Sequence, residues 1–204
     1  KGRKNMKISE KWLTERNACE EGLVWAQKNN LLNTEAISCL DHLVKENKLN
    51  WANWLIVRVM TRPQYLAYAI YAAEQAIGFI DYPTNKGPRL AIDAVKKVLE
   101  NDTEENRAAA YAAYANYANG VAYVDNVAYA ANFAAYAASV YNVACAAYAA
   151  SYAAYAAANV DTNAADEMRL KILNYGMELL KEEQPMENRV DNGTYNKTAD
   201  ADYY

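Results

Sequence analysis

The chain has 204 residues, a length that suits one domain with a sizeable core. Its net charge of −4 is mildly acidic, which argues against nucleic acid as a partner and allows a basic protein as one. Three widely spaced cysteines and a single histidine argue against a disulfide framework and against a zinc site. We therefore expect a cytoplasmic protein with free, buried thiols and with no cofactor.

The first five residues, Lys1 to Asn5, are basic and are not followed by the apolar stretch of a secretory signal. Met6-Lys7-Ile8 looks like a natural start, so we interpret residues 1–5 as a non-native leader. Residues 6–184 are predicted to form a single helical domain. Residues 185–204 are predicted to be a polar C-terminal tail, because they show no helical period.

Helix signals follow one another along the first half of the chain. A short turn or helix is predicted at residues 9–14, and amphipathic helices begin at the capping residues Asn17, Thr34 and Asn50. The helix that opens with Pro63 and runs to about residue 80 is apolar almost all round, which is typical of a central helix. Residues 81–87 form the clearest loop, and Pro88 opens the next helix.

The region from residue 107 to residue 159 is rich in alanine and tyrosine. Of the 51 residues from 108 to 158, 25 are alanine, and ten of the 18 tyrosines lie there. Alanine is the best helix former, and tyrosine carries a large apolar ring with a polar tip, so we expect close-packed helices with rings at their contacts. A break near residues 139–142 is predicted, and a last helix is predicted at 164–181. The expected fold is an all-α domain of seven to nine helices.

The uncharged run from 127 to 158 is long enough to cross a membrane. It contains no leucine or isoleucine, however, and it carries several asparagines and serines. Insertion into a bilayer depends on large aliphatic residues, so we expect a packed helix here and no membrane association.

Glu74 is the strongest candidate for catalysis, because a carboxylate on an apolar helix can have a shifted pKa and act as an acid or a base. The alternative is a structural carboxylate that pairs with a nearby arginine: Arg58, Arg62 or Arg89. We favour the structural role and predict that the protein is not an enzyme.

Other polar residues suggest sites less strongly. Glu20, Glu21, Asp41 and His42 allow a metal or acid–base site, but they lie on two helices and are typical of a solvated face. The loop at 81–87 is a place for a partner to bind. The residues that we assign to structure or interaction are Arg58, Glu74, Asp81, Lys86 and Arg89.

The tyrosines allow a second kind of site, a pocket in which the rings stack on a signalling nucleotide. The competing interpretation is that the rings fill gaps between alanine-lined helices while their hydroxyl groups reach water. We favour packing, and we expect the Ala/Tyr-rich region to act as a scaffold. A partner is then expected at the loop or at the acidic N-terminal helices.

Four blocks of sequence, in this order, carry a resemblance to a known family. They are NACEEGLVW at 17–25, WANWLIVR at 51–58, YAIYAAEQ at 68–75 and PRLAIDAV at 88–95. Followed by Ala/Tyr-rich helices, they resemble the immunity proteins of the fifth-numbered class and the immunity-protein-five-like domains of bacterial and phage genomes. The resemblance covers residues 12–180. It implies an all-α protein that neutralises a toxin by binding and occluding it, with no catalytic residue to transfer.

The alternative is a phage counter-defence protein that binds a defence enzyme or sequesters its nucleotide.

Overall fold

The computed structural model of the chain describes residues 6–79, 86–118, 126–161 and 163–182. Three predictions fall outside these ranges: the leader at 1–5, most of the loop at 81–87, and the tail at 185–204. Most of the described residues lie in α-helices, so the predicted all-α class is confirmed.

The described part of the chain contains one small sheet and ten helices. The sheet pairs β1 (Lys7–Ile8) with β2 (Thr34–Glu35) in antiparallel orientation. The helices are α1 (Glu10–Glu15), α2 (Glu20–Lys28), α3 (Ala36–Lys45), α4 (Leu49–Val59), α5 (Arg62–Ile77), α6 (Gly87–Glu100), α7 (Glu104–Ala118), α8 (Asn126–Val140), α9 (Val143–Ala158) and α10 (Ala164–Lys181).

The helix count is slightly above the predicted seven to nine. The short α1 forms, and the uncharged run divides in two at the predicted place. Tyr141 adopts a left-handed conformation with φ 56°, which no residue inside an α-helix has. Asn142 then caps α9, since its side chain accepts a hydrogen bond from the Ala144 amide at 2.9 Å.

Of two predicted helix starts, the structure confirms the one at Pro63 and contradicts the one at Asn17. Pro63 lies in the first turn of α5, as predicted, and Thr61 caps this helix in a reciprocal capping box with Gln64. The predicted cap at Asn17 is wrong, because Asn17 has φ 54° and lies outside the helix. Cys19 is the N-cap of α2, and its thiol accepts a hydrogen bond from the Gly22 amide at 3.4 Å.

Helix α5 lies at the centre of the molecule, as its apolar sequence predicts. It packs against α6, α8, α9 and α10. Tyr65 and Tyr68 on α5 are among the largest fully buried side chains, together with Leu40, Ile56, Ile172 and Leu173 from neighbouring helices.

A buried polar network ties α5 to α4 and α9. The Tyr68 hydroxyl donates to Asn53 Oδ1 at 2.8 Å, and Asn53 Nδ2 donates to the Ala147 carbonyl at 2.9 Å and lies 3.2 Å from Ser151 Oγ. Burial raises the pKa of Tyr68, so its hydroxyl stays protonated and remains a donor. The network therefore satisfies polar groups that burial would otherwise leave without partners.

Helices α8 and α9 pack on α5 through alanine. Their buried residues are almost all alanines, and the facing positions of α5 include the buried Ala69, Ala72, Ala73 and Ala76. Side chains that end at Cβ let helix axes approach closely. The tyrosines of α8 and α9 lie on the opposite side of both helices.

Candidate functional site

A group of aromatic rings lies on the outer side of the α8–α9 hairpin, away from α5. We call this surface the tyrosine face. Three of its six members lie on α8 and three on α9, and the side chains of all six are partly or largely exposed. They are Tyr129, Phe133, Tyr136, Tyr148, Tyr152 and Tyr155.

The rings of the tyrosine face stack on one another across the hairpin. The centre of the Tyr152 ring lies 4.8 Å from that of Tyr129 and 5.3 Å from that of Phe133, with nearly parallel planes. Tyr155 meets Tyr152 edge-on at 5.8 Å. Offset stacks and edge-to-face pairs are the favoured geometries of aromatic rings, so these rings restrain each other.

The face continues onto α7. The Tyr114 ring stacks on Tyr136 at 4.7 Å, and Tyr111 lies 6.1 Å from Tyr114. Several rings remain open to solvent: Tyr129 is 37% exposed, Tyr155 is 46% exposed and Tyr111 is 50% exposed.

The two helices that carry the tyrosine face contain no acidic or basic residue, and a charged group beside it is the guanidinium of Arg169 on α10, 5.8 Å from the centre of the Tyr155 ring. The polar groups of the tyrosine face are hydroxyls and amides. Burial, together with the neighbouring Tyr129 and Tyr155, raises the pKa of Tyr152. The Tyr152 hydroxyl therefore stays protonated at neutral pH and can donate a hydrogen bond.

A buried arginine anchors the turn at one end of this hairpin. Arg62 is 6% exposed, its Nη1 donates to the Tyr65 hydroxyl at 2.8 Å, and its Nη2 donates to the Ala138 carbonyl at 2.5 Å. Arg62 Nε also donates to Asp102 Oδ2 at 2.6 Å. One side chain thus ties the start of α5 to the end of α8 and to the segment between α6 and α7.

Asp102 joins Arg62 to a second arginine. Arg107 Nη1 donates to Asp102 Oδ1 at 2.8 Å and to the Tyr141 hydroxyl at 3.1 Å. Burial alone would raise the pKa of Asp102, but the hydrogen bonds from Arg62 and Arg107 outweigh it and hold that pKa below its ordinary value. The carboxylate is therefore ionised and paired at neutral pH.

Glu74 does not have the surroundings of a catalytic carboxylate. It is exposed on α5, and its Oε1 lies 2.8 Å from Lys96 Nζ on α6. The expected pairing with an arginine is thus replaced by a pair with Lys96. The pair does join two helices, as the structural role predicts, but it lies in solvent.

The remaining predicted residues that the structure describes lie on α4 or at the start of α6. Arg58 is half-buried on α4, where its guanidinium lies 4.2 Å from the centre of the Trp54 ring and Nη1 donates to the Trp54 carbonyl at 3.0 Å. Lys86 and Arg89 are exposed at the start of α6. Asp81 lies outside the described residues.

The predicted thiols are free, but they are not all buried. Cys39 and Cys145 are buried, whereas Cys19 is exposed at the start of α2. Within the described ranges, no group of three His, Cys, Asp or Glu side chains could hold a metal ion. Over the same ranges, no helix has the length and hydropathy that a membrane span requires.

Sequence reasoning missed two features of this region. Arg62 was considered only as a partner for Glu74. The rings were expected at contacts between helices, where they do lie, but not to stay as exposed as they are. The charge-free stretch of 32 residues was the available signal for the second, because a surface helix that lacks every charge is unusual.

No protein-family model, curated protein sequence or solved structure matches this chain. The resemblance to immunity proteins therefore stays a prediction based on the four sequence blocks.

Proposed function

We propose that the protein is a binding module that neutralises a protein partner, a toxin or another effector, by covering it with the tyrosine face. The observation that carries this proposal is the exposure of stacked aromatic rings on a hairpin that has no charged residue. Protein interfaces are enriched in tyrosine and depleted of charge at their cores.

The chemistry of the face suits recognition of another protein. Each tyrosine offers a large apolar ring and a hydroxyl that can donate and accept, and it has few rotatable bonds to order. The rings already restrain one another, and the alanine packing beneath them holds both helices against α5. Binding would therefore cost little conformational entropy.

The sequence resemblance supports the same kind of activity, since immunity proteins act by occlusion. A stable complex of this kind covers about 800 Å² on each partner. The rings of α7, α8 and α9 together provide an aromatic surface for such a contact. This proposal places the partner on the Ala/Tyr-rich region, whereas the sequence suggested the loop at 81–87 or the acidic N-terminal helices.

The test begins with affinity capture from the native host, followed by purification of the captured partner and measurement of its dissociation constant. We expect the double variant Tyr129→Ala/Tyr155→Ala to weaken binding at least about tenfold and to lose the ability to inhibit the partner. Alanine at these positions favours the helix, so the fold is retained.

Leu90→Ala provides the matched control. Leu90 is 61% exposed on α6, outside the tyrosine face, and its truncation removes a comparable exposed apolar group. Binding should be unchanged in this variant. Equal affinity of the wild type and the tyrosine double variant would overturn the proposal. Capture of a nucleotide in place of a protein would support the alternative raised by the sequence.

A further inference from the structure

A cavity of about 630 Å³ lies in the N-terminal part of the molecule, between α1, α2, α3 and α4. Ligand sites for small molecules typically have volumes of this order, about 300–1,000 Å³. The cavity lies on elements distinct from those that carry the tyrosine face.

The cavity walls are tryptophan and leucine. All four tryptophans of the chain lie in this region, and Trp25, Trp51 and Trp54 line the cavity. The Trp25 and Trp51 rings meet edge-to-face at 5.7 Å, with their planes at 62°. Leu13, Leu31 and Leu55 complete the apolar wall.

One side of the cavity stays open because α2 and the segment that precedes it present small side chains there. Gly22 and Ala26 are four residues apart in α2 and so lie on one face of it, and both line the cavity together with Ala18, which precedes the helix. Larger apolar residues at these positions would close it. The space is therefore a cleft that a molecule can enter from solvent, and its volume and largely apolar lining are those of a ligand site.

The lining is polar only in a few places, and none of its described residues is charged. Lys48 and Arg58 contact the rings of Trp51 and Trp54, but neither belongs to the lining. Burial raises the pKa of the Cys39 thiol, which lies 2.9 Å from Thr34 Oγ1, so this group stays neutral. A net charge on a ligand would find no counter-charge in these walls.

We propose that this cavity is a binding site for an uncharged aromatic small molecule, held between the small residues of α2 and the tryptophan rings of α4. The amide side chains of Asn17 and Asn50, which also line the cavity and are exposed, are placed to bind one neutral polar group of such a molecule. This site is separate from the proposed protein-binding activity and does not depend on it.

The test uses two probes with nearly the same rings and different charge. N-phenyl-1-naphthylamine is uncharged, and 8-anilino-1-naphthalenesulfonate carries a sulfonate. Because three of the four tryptophans line the cavity and Trp12 lies 6.5 Å from Trp54, quenching of tryptophan fluorescence reports occupancy. We expect the uncharged probe to bind with one-to-one stoichiometry, at least about tenfold more tightly than the sulfonate. Equal affinity of the two probes, or no saturable binding, would overturn the proposal.

Variants that fill the cavity locate the binding site. Ala26→Phe should lower the affinity for the uncharged probe at least about tenfold, and Ala18→Leu provides a second, smaller filling if the first does not fold. Ala109→Phe, at an exposed position on α7, is the matched control and should bind the probe as the wild type does. Probe binding that is unchanged in folded filling variants would contradict the assignment. The tyrosine-face double variant should keep probe binding, which separates failure of this proposal from failure of the first.

Discussion

The guanidinium of Arg62 lies 3.6 Å from the centre of the Tyr141 ring, at the turn between α8 and α9. Arg62 begins α5, whereas Tyr141 is the left-handed residue that divides the uncharged run into two helices. The contact thus joins the centre of the fold to the one turn that shapes the tyrosine face. Since the hairpin packs on α5 largely through alanines, this polar anchor supplies specificity that alanine packing lacks.

Replacement of Arg62 should destabilise the protein strongly. Arg62→Met removes the bonds to Asp102, to the Tyr65 hydroxyl and to the α8 carbonyls, and we expect a loss of about 3 kcal/mol in the free energy of unfolding. Urea unfolding followed by far-UV circular dichroism measures this change. Lys96→Met, which breaks the exposed pair with Glu74, is the control and should cost less than about 1 kcal/mol. Similar losses in both variants would show that Arg62 is not an anchor.

The same cluster should make stability depend on pH in the acid range. The pKa of Asp102 is lowered from its ordinary value of 3.8 in the folded state, so its stabilising contribution is complete above that value and is lost as pH falls through the folded pKa. The free energy of unfolding of the wild type should therefore decrease below about pH 4. Asp102→Asn should lower stability at neutral pH and flatten this part of the profile. An unchanged acid profile in the variant would contradict the pairing.

The left-handed conformation of Tyr141 predicts that a glycine variant is more stable than an alanine variant at this position. Tyr141→Gly and Tyr141→Ala both lose the ring, but only glycine adopts φ 56° without strain, so the glycine variant should be more stable by about 1 kcal/mol. At Ser139, inside α8, the order should be reversed, because alanine is the better helix former there. Thermal melts of the four variants give both differences. Alanine favoured at both positions would mean that α8 and α9 form one continuous helix in solution.

The alanine content of the Ala/Tyr-rich region predicted its helices, and a break was expected near residues 139–142. Spacing shows which residues share a face of a helix, but it does not show which face points inward. The larger apolar side chain, tyrosine, would be expected to face the core of the protein. In the structure the alanines do so instead, and Ala130, Ala134, Ala149 and Ala153 are fully buried. Close approach to α5 decides the orientation, and that is a property of three helices together.

The candidate site was less predictable than the fold, because it too depends on how several helices are oriented relative to one another. Glu74 pairs with Lys96, and no spacing within α5 alone identifies that partner, because the rotation of α6 about its axis determines it. The cavity likewise depends on how α2 and α4 face each other. The small residues at 18, 22 and 26 are visible in the sequence. They indicate a cavity only once Trp51 and Trp54 are known to lie opposite them.

Gly176 on α10 provides a test of packing around the central helix. A Cβ atom at this position would lie 2.7 Å from Ile56 Cδ1 and 2.7 Å from the Tyr68 ring. The overlap should cost more than the gain of about 1 kcal/mol that alanine brings to a helix, so Gly176→Ala should be destabilising by about 1–2 kcal/mol. Gly22→Ala in α2 is the matched control, because its new Cβ would meet only the Cys19 thiol, at 3.2 Å. That variant should be neutral or stabilising in urea unfolding, and a second substitution, Ile56→Val, should recover part of the loss at Gly176. If Gly176→Ala were stabilising as well, α10 would lie farther from α4 and α5 than the structure places it.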